Sequence, residues 1–382
     1  MKKALNFVWQ FLKKNFIFAI AVAVALISCI FVPFDKGYLE YFEWNTIACI
    51  FLILLVVAGL TNIDFFQKVA RIIVKKFKTS RSIIMCLVFI TYTSAIFNAN
   101  DMALLTFLPL SYIVLKYTNN IKYCAFTFIM QNIASNLGGM ITPIGNPQNL
   151  YIYSFYNISI WEFFKIMALP TLLALILIVV VCMFVKKEPL QYQDENNNAI
   201  DKPRLITYLI SFLIVLLVVL RLIPWWIALP VIVVVMFFSD KKAFLNVDYT
   251  IPLTFVAFFI FSGNMSRIPA VTEFLQSLLE KSVYLTAYVS CQFISNVPTA
   301  VLLSKFTTEY ASLLVSVNVA SLGIIFSSLS GVIALKEYIK VKDKENLPKG
   351  RGAWYYVGLD TLFNVVGALI LVPLSYLTLL IL

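Results

Sequence analysis

The 382-residue sequence contains no histidine. That removes the commonest zinc ligand and the side chain that most often carries protons near neutral pH. Charge is scarce as well: Asp, Glu, Lys and Arg make up 13% of the chain, about half the share in a soluble domain. The six cysteines (Cys29, Cys49, Cys86, Cys124, Cys182 and Cys291) lie in apolar runs with no paired spacing. They read as small apolar packers and not as a disulfide or metal framework. No alternating strand pattern supports a barrel, and no Ser/His/Asp set or glycine-rich phosphate loop supports an enzyme.

What the sequence has instead is oil: 61% of residues are hydrophobic and the mean hydropathy is +0.89. Runs such as "FIFAIAVAVALISCIFV" (16–32) and "LLALILIVVVCMFV" (172–185) approach the length that crosses a bilayer core. The expected fold is therefore an all-α polytopic membrane protein. Nine crossings are expected, at 15–33, 45–61, 121–158 (broken), 163–185, 204–222, 225–239, 250–266, 308–335 (broken) and 353–380. Two further apolar segments, 82–116 and 282–306, are expected to be re-entrant hairpins. Their apolar arms of about 15 residues or fewer give at most about 22 Å of helix, short of a core of about 30 Å.

The formal charge of +11 invites a nucleic-acid reading, which its distribution removes. With the N-terminus inside, the inner segments hold 24 of the 30 Lys and Arg residues. This is the positive-inside asymmetry, and it leaves the C-terminus outside. No nucleic-acid partner is required.

The two halves of the chain echo each other. "FNANDMALLTFLPL" (97–110) aligns with "FISNVPTAVLLSKF" (293–306), and "NLGGMITPIGNPQNLY" (136–151) with "NVASLGIIFSSLSGVI" (318–333). An amphipathic segment, 63–78 or 268–280, precedes each hairpin. The crossing at 250–266 is the fifth after that at 45–61, so the two run in opposite directions and the copies are expected to be inverted. Inverted repeats with broken helices are typical of secondary transporters, whose substrate site lies near the midplane. Gly138, Gly139, Pro143, Gly145 and Pro147 break the first long segment and free backbone groups at membrane depth. Carbonyl ends suit a cation such as Na⁺, and half-helix N-termini suit an anion. The plainer alternative is a kink whose polar groups bond to neighbouring helices.

"TPIGNPQN" (142–149), "NANDMALLTFLP" (98–109) and "SNVPTAVLL" (295–303) resemble signature segments of the ion transporter superfamily. That group holds the arsenite permeases, the citrate and divalent-anion/sodium symporters, and a set of sodium/proton antiporters. Asn100-Asp101 resembles the arsenite-permease hairpin. Ser295-Asn296 resembles a dicarboxylate-symporter tip, except that Val297 stands where that tip has Thr. The resemblance implies a citrate-transporter-like permease in a bacterial cytoplasmic membrane, with elevator movement and often a homodimer. Its scaffold would be 1–62 and 188–267, and its transport domain 63–187 and 268–382.

Asp101 is the only acidic residue at a hairpin tip, and an intramembrane carboxylate points to function. It is expected to hold Na⁺ or the coupled proton, with Asn98, Thr142, Gly145 and Ser330 around the same ion. The alternative is a carboxylate capping the return half-helix. Asn100, Asn146, Asn149, Ser295, Asn296, Thr299, Ser327 and Ser328 are the expected substrate contacts. Asp360, with Asn364 one turn later, either serves a cation site or lies at the membrane interface. The expected activity is transport of a small anion (a di- or tricarboxylate such as citrate, or an oxyanion or arsenite) coupled to Na⁺ or H⁺. No cofactor, no metal beyond that Na⁺ and no enzymatic activity are expected. A Na⁺/H⁺ antiporter is the alternative.

Overall fold

The computed structural model describes residues 16–65, 68, 77–97, 99–189, 201–325, 327–345 and 350–381. Seventeen α-helices and a few short 3₁₀ turns make up this part of the chain, with no β-strand among the described residues. Asn98 and most of the first amphipathic segment, 63–78, lie outside them.

The first helices are α1 (Phe16–Phe31) and α2 (Trp44–Asn62). Next come α3 (Ser80–Phe97) and α4 (Asn100–Tyr117), joined at 98–99. The first broken segment follows as α5 (Cys124–Gly138) and α6 (Pro147–Phe155), then the long α7 (Ile160–Met183). After the linker stand α8 (Lys202–Val219), α9 (Trp225–Ser239), the short α10 (Lys241–Asn246) and α11 (Thr250–Met265). The amphipathic α12 (Pro269–Leu279) turns away from α11 by 96°. The second half closes with α13 (Val283–Ile294), α14 (Asn296–Leu303), α15 (Tyr310–Val319), α16 (Leu329–Lys344) and α17 (Ala353–Leu379).

Five helices are long and apolar enough to cross a membrane: α2, α3, α7, α8 and α17. The bent pair α11 and α12 makes a sixth candidate. The first hairpin differs from its expected dimensions. Its arms have 18 residues each, about 27 Å, so arm length does not separate a hairpin from two crossings there. The arms of the second, at 12 and 8 residues, are about 18 and 12 Å and stay far too short to cross.

A second difference lies at the end of α16, which continues to Lys344 through "KEYIKVKDK", past the expected end of that segment at 335. Lys and Glu are good helix formers, and Glu337 pairs with Lys340 one turn on.

Both breaks form where expected, and each has a local cause. α5 stops as Gly139–Ile141 tightens into a 3₁₀ turn, and Thr142 and Asn146 are extended. α6 restarts at Pro147, whose missing N–H is no loss at a first helical position. α15 ends at Val319, and α16 restarts after an extended Ser328. Of the fifteen residues of α5 only Phe126 is not buried, because α3, α4, α7, α15, α16 and α17 all pack around it. The helix that carries the first break is the hub of the molecule.

Candidate functional site

Each hairpin tip is tied to the break that follows it by a backbone hydrogen bond. The Asn100 N–H donates to the Gly145 carbonyl at 3.2 Å, and the Asn296 N–H donates to the Ser327 carbonyl at 3.1 Å. Asn100 aligns with Asn296 and Gly145 with Ser327 in the sequence repeat, so the two segments make corresponding bonds. Each tip asparagine also turns its side chain back on the next turn. Asn100 Oδ1 accepts from the Asp101 N–H at 3.0 Å and Asn296 Oδ1 from the Val297 N–H at 2.9 Å. Gly145 is required by space: a Cβ there would lie 2.2 Å from the Gly139 carbonyl oxygen and 2.7 Å from that of Ala95.

The two breaks also hold each other. Asn136 Nδ2 donates to Ser330 Oγ at 2.8 Å, and Ser330 Oγ donates to Asn136 Oδ1 at 3.0 Å. In the corresponding exchange, Gln148 Nε2 donates to Asn318 Oδ1 at 3.3 Å. Asn136 also accepts from Asn100 Nδ2 at 2.8 Å, which brings the first tip into the network. Asn146 Nδ2 bridges the Asn136 carbonyl and Asn318 Oδ1 at 3.0 and 2.9 Å. Asn149 Nδ2 reaches the carbonyls of Gly139, Met140 and Thr142, and its Oδ1 accepts from Asn318 Nδ2. Freed carbonyls of the first break are thus satisfied by an amide from the next helix.

In front of this network lies a cavity of about 680 Å³. Its polar floor brings together Asn100, Asp101, Gln148, Ser295 and Asn296, from both tips and the first break. Thr254, Phe255 and Phe258 of α11 line it too, as do Asp248, Lys336, Glu337 and Lys340. The N-terminal ends of α4, α6 and α14 all reach this space, and their aligned dipoles suit an anion there.

Asp101 is buried, and its Oδ1 has no hydrogen-bond partner. It stands in the first turn of α4, but Ala99 is the N-cap and no side chain caps that helix. The capping alternative therefore has no bond to rest on. Asp101 lines a space that also offers neutral amide and hydroxyl groups, and its buried Oδ1 is left without a partner.

The remaining expected residues that the structure describes do not line the cavity. Thr142 donates to the Ile96 carbonyl, Thr299 to the Ser295 carbonyl and Ser327 to the Ser321 carbonyl. Ser328 and Ser330 share a hydrogen bond of 2.7 Å. With Gly145, Asn146 and Asn149 they form a supporting layer behind the floor. Sequence reasoning missed Asn136 and Asn318, although they open the two aligned segments. It also missed Asp248, Lys336, Glu337 and Lys340, for which the sequence carries no local signal. Among the described residues no group of three or more His, Cys, Asp or Glu side chains could hold a metal ion.

Comparison with known proteins points one way. A family model described as "Citrate transporter" (CitMHS) matches residues 7–331. The chain is similar to an "Uncharacterized transporter MJ0456" of Methanocaldococcus jannaschii, at 30% identity over 77% of this chain and 81% of the relative. It is also similar to the "Inner membrane protein YbiR" of Escherichia coli, at 30% identity over 84% of this chain and 87% of the relative. A "Putative transporter arsB" of Dictyostelium discoideum is 23% identical over 41% of this chain and 28% of that protein.

Proposed function

Because the chain belongs to the citrate transporter family, a group of integral membrane transporters, we propose that it is a secondary active transporter of a small anion. The substrate class is a di- or tricarboxylate such as citrate, or an oxyanion, and the coupling ion is Na⁺ or H⁺. One observation carries this reading: the cavity joins two hairpin tips, three half-helix N-termini and a carboxylate with an unused oxygen. The helix ends and the amides of Asn100, Asn296 and Gln148 bind the anion, and Asp101 holds the coupling cation beside it. A cation placed there offsets the repulsion between Asp101 and an anionic substrate, which makes binding of the two mutually dependent.

Lys336 and Lys340 stand beside the cavity, on the face where positive charge concentrates. That supports an inward-facing state. In the elevator cycle, 63–187 and 268–382 carry the bound anion as inverted repeats past the helices of 1–62 and 188–267. α11, from the second of those stationary segments, lines the cavity together with the tips.

A thermal-shift screen of purified protein tests this, with citrate, succinate, sulfate, phosphate and arsenite, each in Na⁺ or K⁺, repeated on Asp101→Asn. A ligand that binds the folded state raises its stability by mass action. A Na⁺-dependent shift with one anion, lost in Asp101→Asn, is the expected result for Na⁺ coupling. An anion shift that depends on pH and not on Na⁺ gives H⁺ coupling. The orphan Asp101 oxygen also fits a Na⁺/H⁺ antiporter, and a Na⁺ shift with no anion preference would favour that reading instead.

A further inference from the structure

A second unsatisfied cluster lies away from the cavity, in α17. Asp360 is 1% exposed, and no hydrogen bond of good geometry reaches either of its carboxylate oxygens, although the Asn364 and Asn132 amides lie within reach of it. One turn later the Oδ1 of buried Asn364 is also unpartnered, and one turn earlier so is the hydroxyl of fully buried Tyr356. The spacing of four residues puts all three on one stripe of the helix. Asn132 of α5 lies beside Asp360, and Tyr338 of α16 packs on the Tyr356 ring at 4.8 Å between centroids. Asp360 is thus enclosed by protein on all sides.

The cluster has acceptors in excess and no cation. The titratable groups nearest it are Tyr356 on its own helix, Tyr338 of α16 and Cys124 of α5. Of the other helices against α17, α15 has no charged residue, and the charges of α7, Glu162 and Lys165, stand in its first turns. Lys336, Glu337 and Lys340 of α16 stand at the cavity instead. Neutral amides alone do not offset the desolvation of a buried carboxylate that has no cationic partner, so its ionised form is disfavoured. One added proton changes the arrangement. A protonated carboxyl has an O–H for the orphan Asn364 Oδ1, and its other oxygen is an acceptor for the orphan Tyr356 O–H.

We propose that Asp360 is a proton-binding site, separate from the anion cavity. Its place links it to that cavity: Asn132 is one turn before Asn136, whose side chain holds both the Asn100 tip and Ser330. A role in transport rests on the transporter reading above, whereas the proton site itself does not.

Infrared difference spectroscopy of the purified full chain, titrated with pH and separately with Na⁺, tests the proposal. Wild type should show a protonated-carboxyl C=O band at neutral pH that disappears as pH rises. The band should be absent from Asp360→Asn and retained in Asp101→Asn. Persistence of the whole band in Asp360→Asn, absence of any such band from wild type, or its removal by Na⁺ at fixed pH would each overturn the assignment. If Asp360→Asn does not fold, Asp360→Glu decides, since a changed carboxylic acid must shift the band and an unmoved one refutes the site. None of these outcomes bears on the anion and Na⁺ shifts, so the two readings can fail separately.

Discussion

Asn136 and Ser330, 194 residues apart in the chain, hold each other by two hydrogen bonds of 2.8 and 3.0 Å. They sit in different broken segments, so this pair fastens one break to the other directly behind the cavity floor. Asn318 and Gln148 make the corresponding link from the opposite side. The floor is therefore one polar unit built by both halves of the chain.

The two partners should differ in what their loss costs. Asn136→Ala strips a partner from both Asn100 Nδ2 and Ser330, and each buried group left unpaired costs about 1–3 kcal/mol. Ser330→Ala leaves Asn136 with Asn100 and the Asn132 carbonyl and strips one group, the Ser328 hydroxyl, which can rotate to another acceptor, so about 1 kcal/mol is expected. Thermal melts of the two variants check this ranking, and equal losses would contradict it.

Gly145→Ala and Gly358→Ala should move stability in opposite directions. The first forces a Cβ against two backbone carbonyls that side-chain rotation cannot move, and overpacking of this kind costs about 1–3 kcal/mol or more. The second lies in α17 with nothing within 4 Å of the new Cβ, so removing a helical glycine should stabilise by about 0.5–1 kcal/mol. Melting temperatures in one detergent give the comparison.

Ser295 forms the whole connection between α13 and α14, with φ of 72° and ψ of 162°, a region that strongly favours glycine. Ser295→Gly and Ser295→Ala both remove the hydroxyl, but only glycine relieves the backbone. Ser295→Gly should therefore be the more stable of the two by about 1 kcal/mol. If alanine melts at the same temperature or higher, the tip holds no strain.

Outside the membrane-spanning helices, Arg267 hydrogen-bonds Asp35 and holds its carboxyl below the ordinary value. A depressed acid contributes stability above its unfolded value, about pH 3.9, and loses it as pH falls through the folded value. The stability difference between wild type and Asp35→Asn should be constant near neutrality and shrink on acidification below about pH 4. The pair is exposed, so salt should reduce it as well. A difference that grows in acid would show that another group is responsible.

The helices and breaks were legible because lipid imposes a simple code of length and hydropathy, and because glycine and proline interrupt it at 138–147. The tips were legible because polar residues stand out in an apolar chain. Which polar residues face the cavity was not. Asn100 lines the cavity while Asn146 and Asn149 support it from behind, and that depends on which backbone carbonyls each amide meets once the break is folded. The cluster around Cys124, Asn132, Tyr356 and Asp360 joins α5 to a helix more than 200 residues later, a pairing that no local pattern encodes. α16 ran past its expected end because the sequence stops being apolar there without ceasing to favour a helix.

The exchanged bonds between the breaks also set a condition on how the chain is made. At about 5–20 residues per second, Ser330 is synthesised some 10–40 s after Asn136. Throughout that interval the first break has its asparagines in place but lacks the partners that satisfy them. The first half must therefore wait at the membrane with a polar, unfinished centre, shielded by water or by the insertion machinery, until the second half arrives to complete it.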